Sequence, residues 1–242
     1  MSREKKKFEA EYLFAALFLI IVAIVIGWYL NRSVTVGEII VQGNRMAKSD
    51  DIIRESGLEE GVHGDSITFL KVIERVETLP WVESAYVSLS QTGRLQIRVE
   101  EEQPMALLVD GNQNVWVSES GIQLPVILGE AVDVPILYGF RLTGQPDTLR
   151  SESFRKVRSF LMRARQYPGL YASISEVMVT EADGVVVLND ENAVRLTFGH
   201  DNFNDRIQKW SAFRSQVISE NGIGHVLSLD FRYRGQVVAR EL

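Results

Sequence analysis

The residues best suited to chemistry in this chain of 242 residues are its three histidines, His63, His200 and His225. They lie far apart, and no H-x-x-H or H-E-x-x-H pair would place two imidazoles on one face of a metal-binding helix. The chain has no cysteine, which excludes thiolate metal sites, disulfides and thiol nucleophiles. No G-x-S-x-G segment and no phosphate-binding glycine-rich loop occurs either. We therefore predict no catalytic residue, no metal and no cofactor, and a function that depends on binding.

The densest acidic cluster is the run Glu100-Glu101-Glu102. Alternate residues of a strand face opposite ways, so these three carboxylates cannot converge on one ligand. We interpret the run as a solvated strand end. The net charge of the whole chain is −6, whereas nucleic-acid binding requires a basic surface. Nucleic acid is therefore not predicted as a ligand, and the absence of a catalytic constellation means that no small-molecule substrate is predicted either.

An uncharged apolar run occupies residues 12–30. As a helix it would extend about 28 Å, close to the thickness of the hydrocarbon core of a bilayer. Tyr12 stands at one end of the run and Trp28 and Tyr29 at the other, where aromatic rings favour the membrane interfaces. A cleaved signal peptide is the alternative, but its apolar region is usually shorter and ends in small residues. We predict an uncleaved transmembrane helix in the inner membrane.

The basic residues at the start of the chain predict its orientation. Lys5-Lys6-Lys7 stands just before the apolar run, within a short tail of residues 1–11. Basic residues favour the cytoplasmic side of a membrane. The N-terminus is therefore expected in the cytoplasm, and the folded part is expected in the periplasm or otherwise outside the inner membrane.

The part of the chain that follows the apolar run predicts a small α+β unit. It opens with a β-rich run, Val34–Gln42, followed by a helix over Asp50–Ser56 that Ser49 can cap. Apolar residues spaced by three predict a second helix over Ile67–Leu79. Two alternating strands then complete the order β-α-α-β-β, Val82–Leu89 and Arg94–Glu100. Two helices on one face of such a sheet form an economical core.

The rest of the chain predicts a second unit of mixed helices and strands. Residues 120–147 are rich in glycine and proline and are expected to be irregular or to form short edge strands. Helices are predicted over Ser151–Gln166 and over Phe203–Glu220, with Asn202 as the cap of the second. Trp81 and Trp210 lie on apolar patterns and are predicted to be buried. The remaining segments read as strands: Met105–Asp110, Val115–Ser118, Ile174–Thr180, Val185–Leu188, Val194–Phe198, Val226–Tyr233 and Gly235–Arg240.

Several motifs, in order along the chain, resemble the bacterial FtsQ (DivIB) cell-division family, whose members carry a POTRA domain. The similar segments are Val36–Asn44, Leu79–Val87, Leu95–Ala106, Leu196–Gly199 with Lys209 in the following helix, and Leu229–Tyr233. Two positions depart from the family pattern. The family often has a proline where Gln91-Thr92-Gly93 stands, and often an arginine at the position of Glu102.

This resemblance implies an architecture and a role. The fold would be α+β, with one N-terminal transmembrane helix, a POTRA domain (β-α-α-β-β) over 31–103 and a mixed α/β "β domain" over 104–242 that ends in an edge strand. The role would be that of a non-enzymatic scaffold of the divisome at the division septum. It would bind FtsB-like and FtsL-like proteins and help to position and regulate septal peptidoglycan synthesis. A POTRA-type adaptor in outer-membrane assembly or secretion and a membrane-anchored enzyme remain alternatives.

The resemblance also implies a partner-binding site at the end of the chain. The last strand contains no proline and, as the last strand, is expected to be a sheet edge that a partner strand can extend. Arg232 and Tyr233 match the partner-binding arginine and tyrosine of the family. Alternatively, Arg232 is a solvated strand residue and Tyr233 covers the core. The expected partner-binding residues are Arg232, Tyr233, Gly235, Gln236, Val237, Val238, Ala239 and Arg240.

Overall fold

The computed structural model describes residues 17–26, 34–142, 148–218 and 222–241. Residues 17–26 are helical (α1). Among the residues that are described, no helix combines the length and the apolarity needed to cross a membrane. The ends of the predicted span, with Tyr12, Trp28 and Tyr29, lie outside the described residues.

The folded chain divides into two compact units. The first unit comprises the described parts of Met1–Asn44, together with Lys48–Val76 and Ser84–Val99. The second unit comprises Arg45–Ala47, Glu77–Glu83 and the described parts of Glu100–Leu242.

The first unit is built on a three-stranded sheet with the order β1-β3-β2. Its elements follow the predicted order β-α-α-β-β: β1 (Glu38–Gln42), α2 (Ser49–Ser56), α3 (Phe69–Val76), β2 (Val82–Leu89) and β3 (Arg94–Glu101). The central strand, β3, runs parallel to β1. Its alternate residues Leu95, Ile97 and Val99 are almost fully buried. Alternation in the sequence therefore predicted the buried face of this strand correctly.

Both predicted helices of the first unit begin differently in the structure. The predicted cap of α2 is wrong, because the N-cap residue is Lys48 and Ser49 is already the first helical residue. The Ser49 hydroxyl instead accepts a hydrogen bond from Asn44 Nδ2 at 3.1 Å. The helix predicted from Ile67 begins at Phe69, because Ile67 has an extended backbone (φ −86°, ψ 121°) after the short 3₁₀ turn Gly64–Ser66.

The interpretation of the glutamate run as a solvated strand end is wrong for two of its members. The last two residues of β3, Glu100 and Glu101, belong to the second unit. There the Glu101 carboxylate accepts hydrogen bonds from the backbone N–H groups of Arg45, Met46 and Ala47 at 2.7–3.0 Å. Glu102 is only 6% exposed and accepts a hydrogen bond from the Ser120 hydroxyl at 3.1 Å. Backbone donors without a partner in regular structure need acceptors, and Glu101 supplies one that no sequence pattern indicated.

A nine-stranded sheet forms the framework of the second unit, with the order β12-β11-β10-β9-β8-β7-β4-β5-β6. The strands are β4 (Pro104–Asp110), β5 (Gln113–Ser118), β6 (Gln123–Pro125), β7 (Ile136–Tyr138), β8 (Ile174–Thr180), β9 (Gly184–Asn189), β10 (Arg195–Gly199), β11 (Val226–Asp230) and β12 (Val238–Glu241). The region expected to be irregular or to form edge strands thus contributes β7, which lies inside the sheet between β4 and β8. A strand of only three residues is stable at this position because β7 is hydrogen-bonded to a neighbouring strand on each side.

The helices of the second unit pack around an aromatic core. They are α4 (Glu152–Ala164), α5 (Pro168–Tyr171) and α6 (Phe203–Phe213), which continues as a π-helix (Arg214–Ile218). Phe160 of α4 lies 4.7 Å from Phe198 of β10, measured between ring centroids, and Phe198 stacks on Phe231 at 5.1 Å. Trp81 and Trp210 are buried as predicted.

The start and the end of α6 depart from the prediction. Asn202 is the N-cap residue, but it has a left-handed backbone (φ 50°) and its side chain makes no capping hydrogen bond. The α-helix expected to reach Glu220 ends at Phe213, where the π-helix takes over. A side chain capable of capping does not cap when the backbone does not place its oxygen near the first helical N–H groups.

Candidate functional site

The last strand of the chain, β12, lies at one edge of the nine-stranded sheet. It pairs antiparallel with β11, with Leu229 opposite Ala239 and Ser228 opposite Arg240. All residues of β12 are exposed. One side of its backbone therefore has no neighbouring strand among the described residues, so its N–H and C=O groups can accept a further strand.

This strand is shorter than predicted. Of the expected partner-binding residues, only Val238, Ala239 and Arg240 belong to β12, which ends at Glu241. Gly235 has a φ of +72° and lies in the turn that connects β11 to β12. A residue with positive φ cannot continue an extended strand. Gln236 and Val237 follow the turn, and Val237 packs partly buried against the core.

Arg232 stands just after β11 and is held by two aspartates. Its Nε donates to both carboxylate oxygens of Asp230 at 3.0 Å, and its Nη2 donates to Asp230 Oδ2 at 2.6 Å. Its Nη1 donates to Asp183 Oδ1 at 2.9 Å and to the carbonyl of Ala182 at 3.3 Å. Arg195 of β10 contacts the other oxygen of Asp183 at 2.8 Å. The guanidinium thus joins the turn between β8 and β9 to the end of β11.

These contacts decide what Arg232 can offer a partner. An arginine has five N–H donors, and four of those of Arg232 are engaged by Asp230, Asp183 and Ala182. Within the described part of the chain, one N–H of Nη2 has no acceptor. Its side chain is 32% exposed. Arg232 is therefore neither a loosely solvated residue nor a free cation, but a fixed group with one donor available.

Tyr233 is the most exposed aromatic residue of the site. The residue is 49% exposed, so it does not cover the core. The Lys209 ammonium group, on α6, donates to the carbonyl of Tyr233 at 3.1 Å and pairs with Asp205 at 2.8 Å. Just before it, the buried Phe231 donates its backbone N–H to the carbonyl of Thr197 at 3.0 Å. The turn that presents Tyr233 is thus fixed to both β10 and α6.

The arginine also controls the protonation of Asp230. Burial raises the pKa of this carboxyl, but the hydrogen bonds and positive charge of Arg232 outweigh burial, and the pKa lies below its ordinary value. In turn, hydrogen bonding to Asp230 raises the pKa of Arg232. The pair is therefore ionised at neutral pH, and its contribution to the stability of the fold decreases when Asp230 is protonated in acid.

We expect Asp230→Asn to remove a stabilising contribution of about 1–2 kcal/mol at neutral pH. A carboxyl whose folded-state pKa is depressed stabilises above its unfolded pKa, about 3.9 for aspartate, and loses that contribution as pH falls through the folded-state value. The difference in unfolding free energy between the natural chain and the variant should therefore shrink in acid. Urea titrations at a series of pH values measure it. Asp133→Asn, at an exposed carboxylate, should show no such convergence, and equal behaviour of both variants would contradict the role of the pair.

The contributions of Asp183, Asp230 and Lys209 to this site were not predicted. Asp230 and Lys209 lie in motifs that resemble the family, but their partners are set by the fold. Asp183 lies far from Arg232 in the chain, and nothing in the surrounding sequence marks it. Within the described ranges, no group of three or more acidic or imidazole side chains is placed to hold a metal ion.

Comparisons with known proteins agree on one family. The profile of the "POTRA domain, FtsQ-type" matches residues 34–102, and that of "FtsQ/DivIB, C-terminal related" matches residues 103–240. The Cell division protein FtsQ of Salinibacter ruber is 28% identical over 226 residues, which cover 89% of this chain and 86% of the relative. The Cell division protein FtsQ of Rhodothermus marinus is 29% identical over 225 residues, which cover 89% of this chain and 81% of that relative.

Proposed function

Because this chain belongs to the FtsQ/DivIB family of cell-division proteins, we propose that it is a non-enzymatic scaffold of the divisome. It binds FtsB-like and FtsL-like proteins and helps to position and regulate septal peptidoglycan synthesis. Residues 12–30 anchor it in the inner membrane, with residues 1–11 in the cytoplasm. Residues 31–103, the POTRA domain, and residues 104–242, the distal β domain, lie beyond the membrane at the septum.

The observation that carries this proposal is the open edge of β12. The strand is exposed along its whole length and pairs only with β11 among the described strands. A strand of the FtsB-like partner adds to this edge and extends the sheet. Main-chain hydrogen bonds supply much of the contact, and side chains beside the edge supply selectivity.

The side chains beside this edge suit a selective role. Tyr233 provides a rigid, exposed aromatic surface with a hydroxyl group, and such residues commonly dominate binding energy. Arg232 offers its remaining N–H from a fixed position, because Asp230 and Asp183 hold its guanidinium. Ordering Arg232 before binding reduces the entropy that the complex must lose. Gly235 lies in the turn that follows Tyr233, and Gln236 and Val237 connect this turn to the strand.

A pair of proline variants tests strand addition. The N–H groups of the neighbouring residues Ala239 and Arg240 point to opposite sides of β12. Proline removes the N–H, so one of Ala239→Pro and Arg240→Pro breaks a bond to β11, and the other breaks a bond to the partner. We expect one variant to lose stability. The other should melt as the natural chain does, yet bind the FtsB-like segment more than about tenfold more weakly, which corresponds to 1.4 kcal/mol.

Calorimetry of the full chain with the extracytoplasmic segment of the FtsB-like protein gives the affinity, and thermal unfolding gives the stability. Each variant is the control for the other, since both place proline at adjacent exposed positions of β12, and Arg240→Ala measures the effect of removing the arginine side chain alone. If both bind the segment as tightly as the natural chain, the partner does not use this edge.

A further inference from the structure

A basic groove lies in the second unit between α4 and the connection from β10 to α6. It has a volume of about 520 Å³. One wall is formed by Arg155, Lys156 and Arg163 of α4, and His200 and Asp201 form part of the other. The residues of the groove are separate in the chain from those of the β12 edge.

The cations of this groove exceed what its own carboxylates can neutralise. Lys156 pairs with Glu152 at 2.7 Å, and Asp201 pairs with Arg206 at 2.7 Å. The hydrogen bond and the charge of Lys156 lower the pKa of Glu152, which keeps that pair ionised. Arg155 and Arg163 remain, and neither forms an ion pair within the described part of the chain. A groove with two exposed guanidinium groups in surplus is complementary to anions.

The surrounding segment strengthens this positive potential. Residues 150–165 carry six basic side chains and one acidic side chain, although the whole chain has a net charge of −6. Arg158 is exposed one turn from Arg155, and among the described residues it too lacks an ion pair. The solvent-facing side of α4 is therefore a basic strip that leads into the groove.

The spacing of the cations indicates the shape of the ligand. Arg155 and Arg163 are eight positions apart on one helix, which is about 12 Å along its axis. Residues on one face of an extended peptide recur about every 6.6 Å, so its first, third and fifth side chains cover this distance. A single small anion covers only part of this distance. A flat lipid surface leaves the recess between α4 and α6 empty.

We propose that this groove binds an acidic, extended peptide segment of a partner protein, with its carboxylates facing Arg155 and Arg163. Arginine suits this task because its planar fork can donate two parallel hydrogen bonds to a carboxylate. The interaction is electrostatic and therefore weakens as salt is added.

Fluorescence anisotropy with the full chain in a non-ionic detergent tests this proposal. The probe is a fluorescein-labelled peptide in which glutamate alternates with serine, and its control has glutamine in place of glutamate. We expect the glutamate peptide to bind and the glutamine peptide not to bind. The double variant Arg155→Glu, Arg163→Glu should weaken binding more than about tenfold. Both side chains are exposed, and the hydrogen bond that is lost joins Arg155 to the carbonyl of Arg150 at 2.8 Å, so thermal unfolding should change little. The double variant Arg155→Gln, Arg163→Gln removes the two charges without reversing them and should weaken binding less.

The matched control is the double variant Arg98→Glu, Arg141→Glu, which changes the net charge equally at two other exposed arginines. It should change peptide affinity by less than about twofold. An equal loss in this control, or binding of the glutamine peptide, would overturn the proposal. A third outcome would also overturn it: the chain does not bind the glutamate peptide but binds phosphatidylglycerol vesicles, and the double variant Arg155→Glu, Arg163→Glu loses that vesicle binding. Since the groove variants should still bind the FtsB-like segment at β12, failure here is distinguishable from failure of the proposed edge.

Discussion

Replacement of Phe231 by alanine should lower the free energy of unfolding of the second unit by about 3–5 kcal/mol. The side chain is fully buried, and its ring stacks on Phe198 with centroids 5.1 Å apart. Truncation would leave a cavity between β10 and the end of β11 that the neighbouring backbone cannot fill. Because Phe231 directly precedes Arg232 and Tyr233, the variant should also weaken the proposed binding of an FtsB-like strand to the β12 edge.

Urea unfolding measures this loss, and two substitutions separate its causes. Phe231→Leu retains most of the buried volume and should cost much less than alanine. Tyr233→Ala removes an exposed ring and should change stability by less than about 0.5 kcal/mol, yet it should weaken binding of the FtsB-like segment. A loss below about 1 kcal/mol for Phe231→Ala would mean that this ring does not anchor the turn.

Replacement of Gly184 by alanine should cost more than about 3 kcal/mol, because two separate penalties combine. Gly184 has a φ of +68°, which L side chains rarely adopt. An added Cβ would also lie 2.2 Å from the carbonyl carbon of Gly199 and 2.6 Å from the backbone nitrogen of His200. These are backbone atoms of the last residue of the paired strand β10 and of the residue that follows it, so β9 and β10 would have to separate. Asp183, which holds Arg232 and Arg195, would move with them.

Gly111→Ala is the matched control for this variant. Gly111 lies in the turn between β4 and β5 with a φ of +60°, but nothing stands within 4 Å of an added Cβ. Its free energy of unfolding should fall only by the cost of a side chain on a left-handed backbone, about 1–2 kcal/mol. Thermal unfolding measures the loss of stability in each variant. The difference between the two losses gives the cost of the clash between the added Cβ and the backbone of Gly199 and His200. Equal losses would mean that the clash between strands relaxes without cost.

Two features of this protein could be predicted from its sequence alone. They are the helices and strands that depend on local residue patterns, and the family to which the chain belongs. The β-α-α-β-β order of the first unit followed from apolar alternation and helical spacing, and the burial of Leu95, Ile97 and Val99 followed from the same alternation. The ordered motifs from Val36 to Tyr233 identified the FtsQ/DivIB family, which the comparisons confirm. Periodicity predicts such features because a side chain's direction in a strand or helix depends on its own position in that element.

Tertiary structure alone decided the contacts that shape the candidate sites. The pairing of strands places β7 inside the sheet. Asp183 contacts Arg232 only because β9, β10 and β11 lie side by side. Glu101 binds backbone groups more than fifty positions earlier in the chain. The basic groove exists because α4 lies against the connection that begins α6. Such pairings join residues that are distant in the chain, so their geometry depends on strand order and packing, which local residue spacing does not encode.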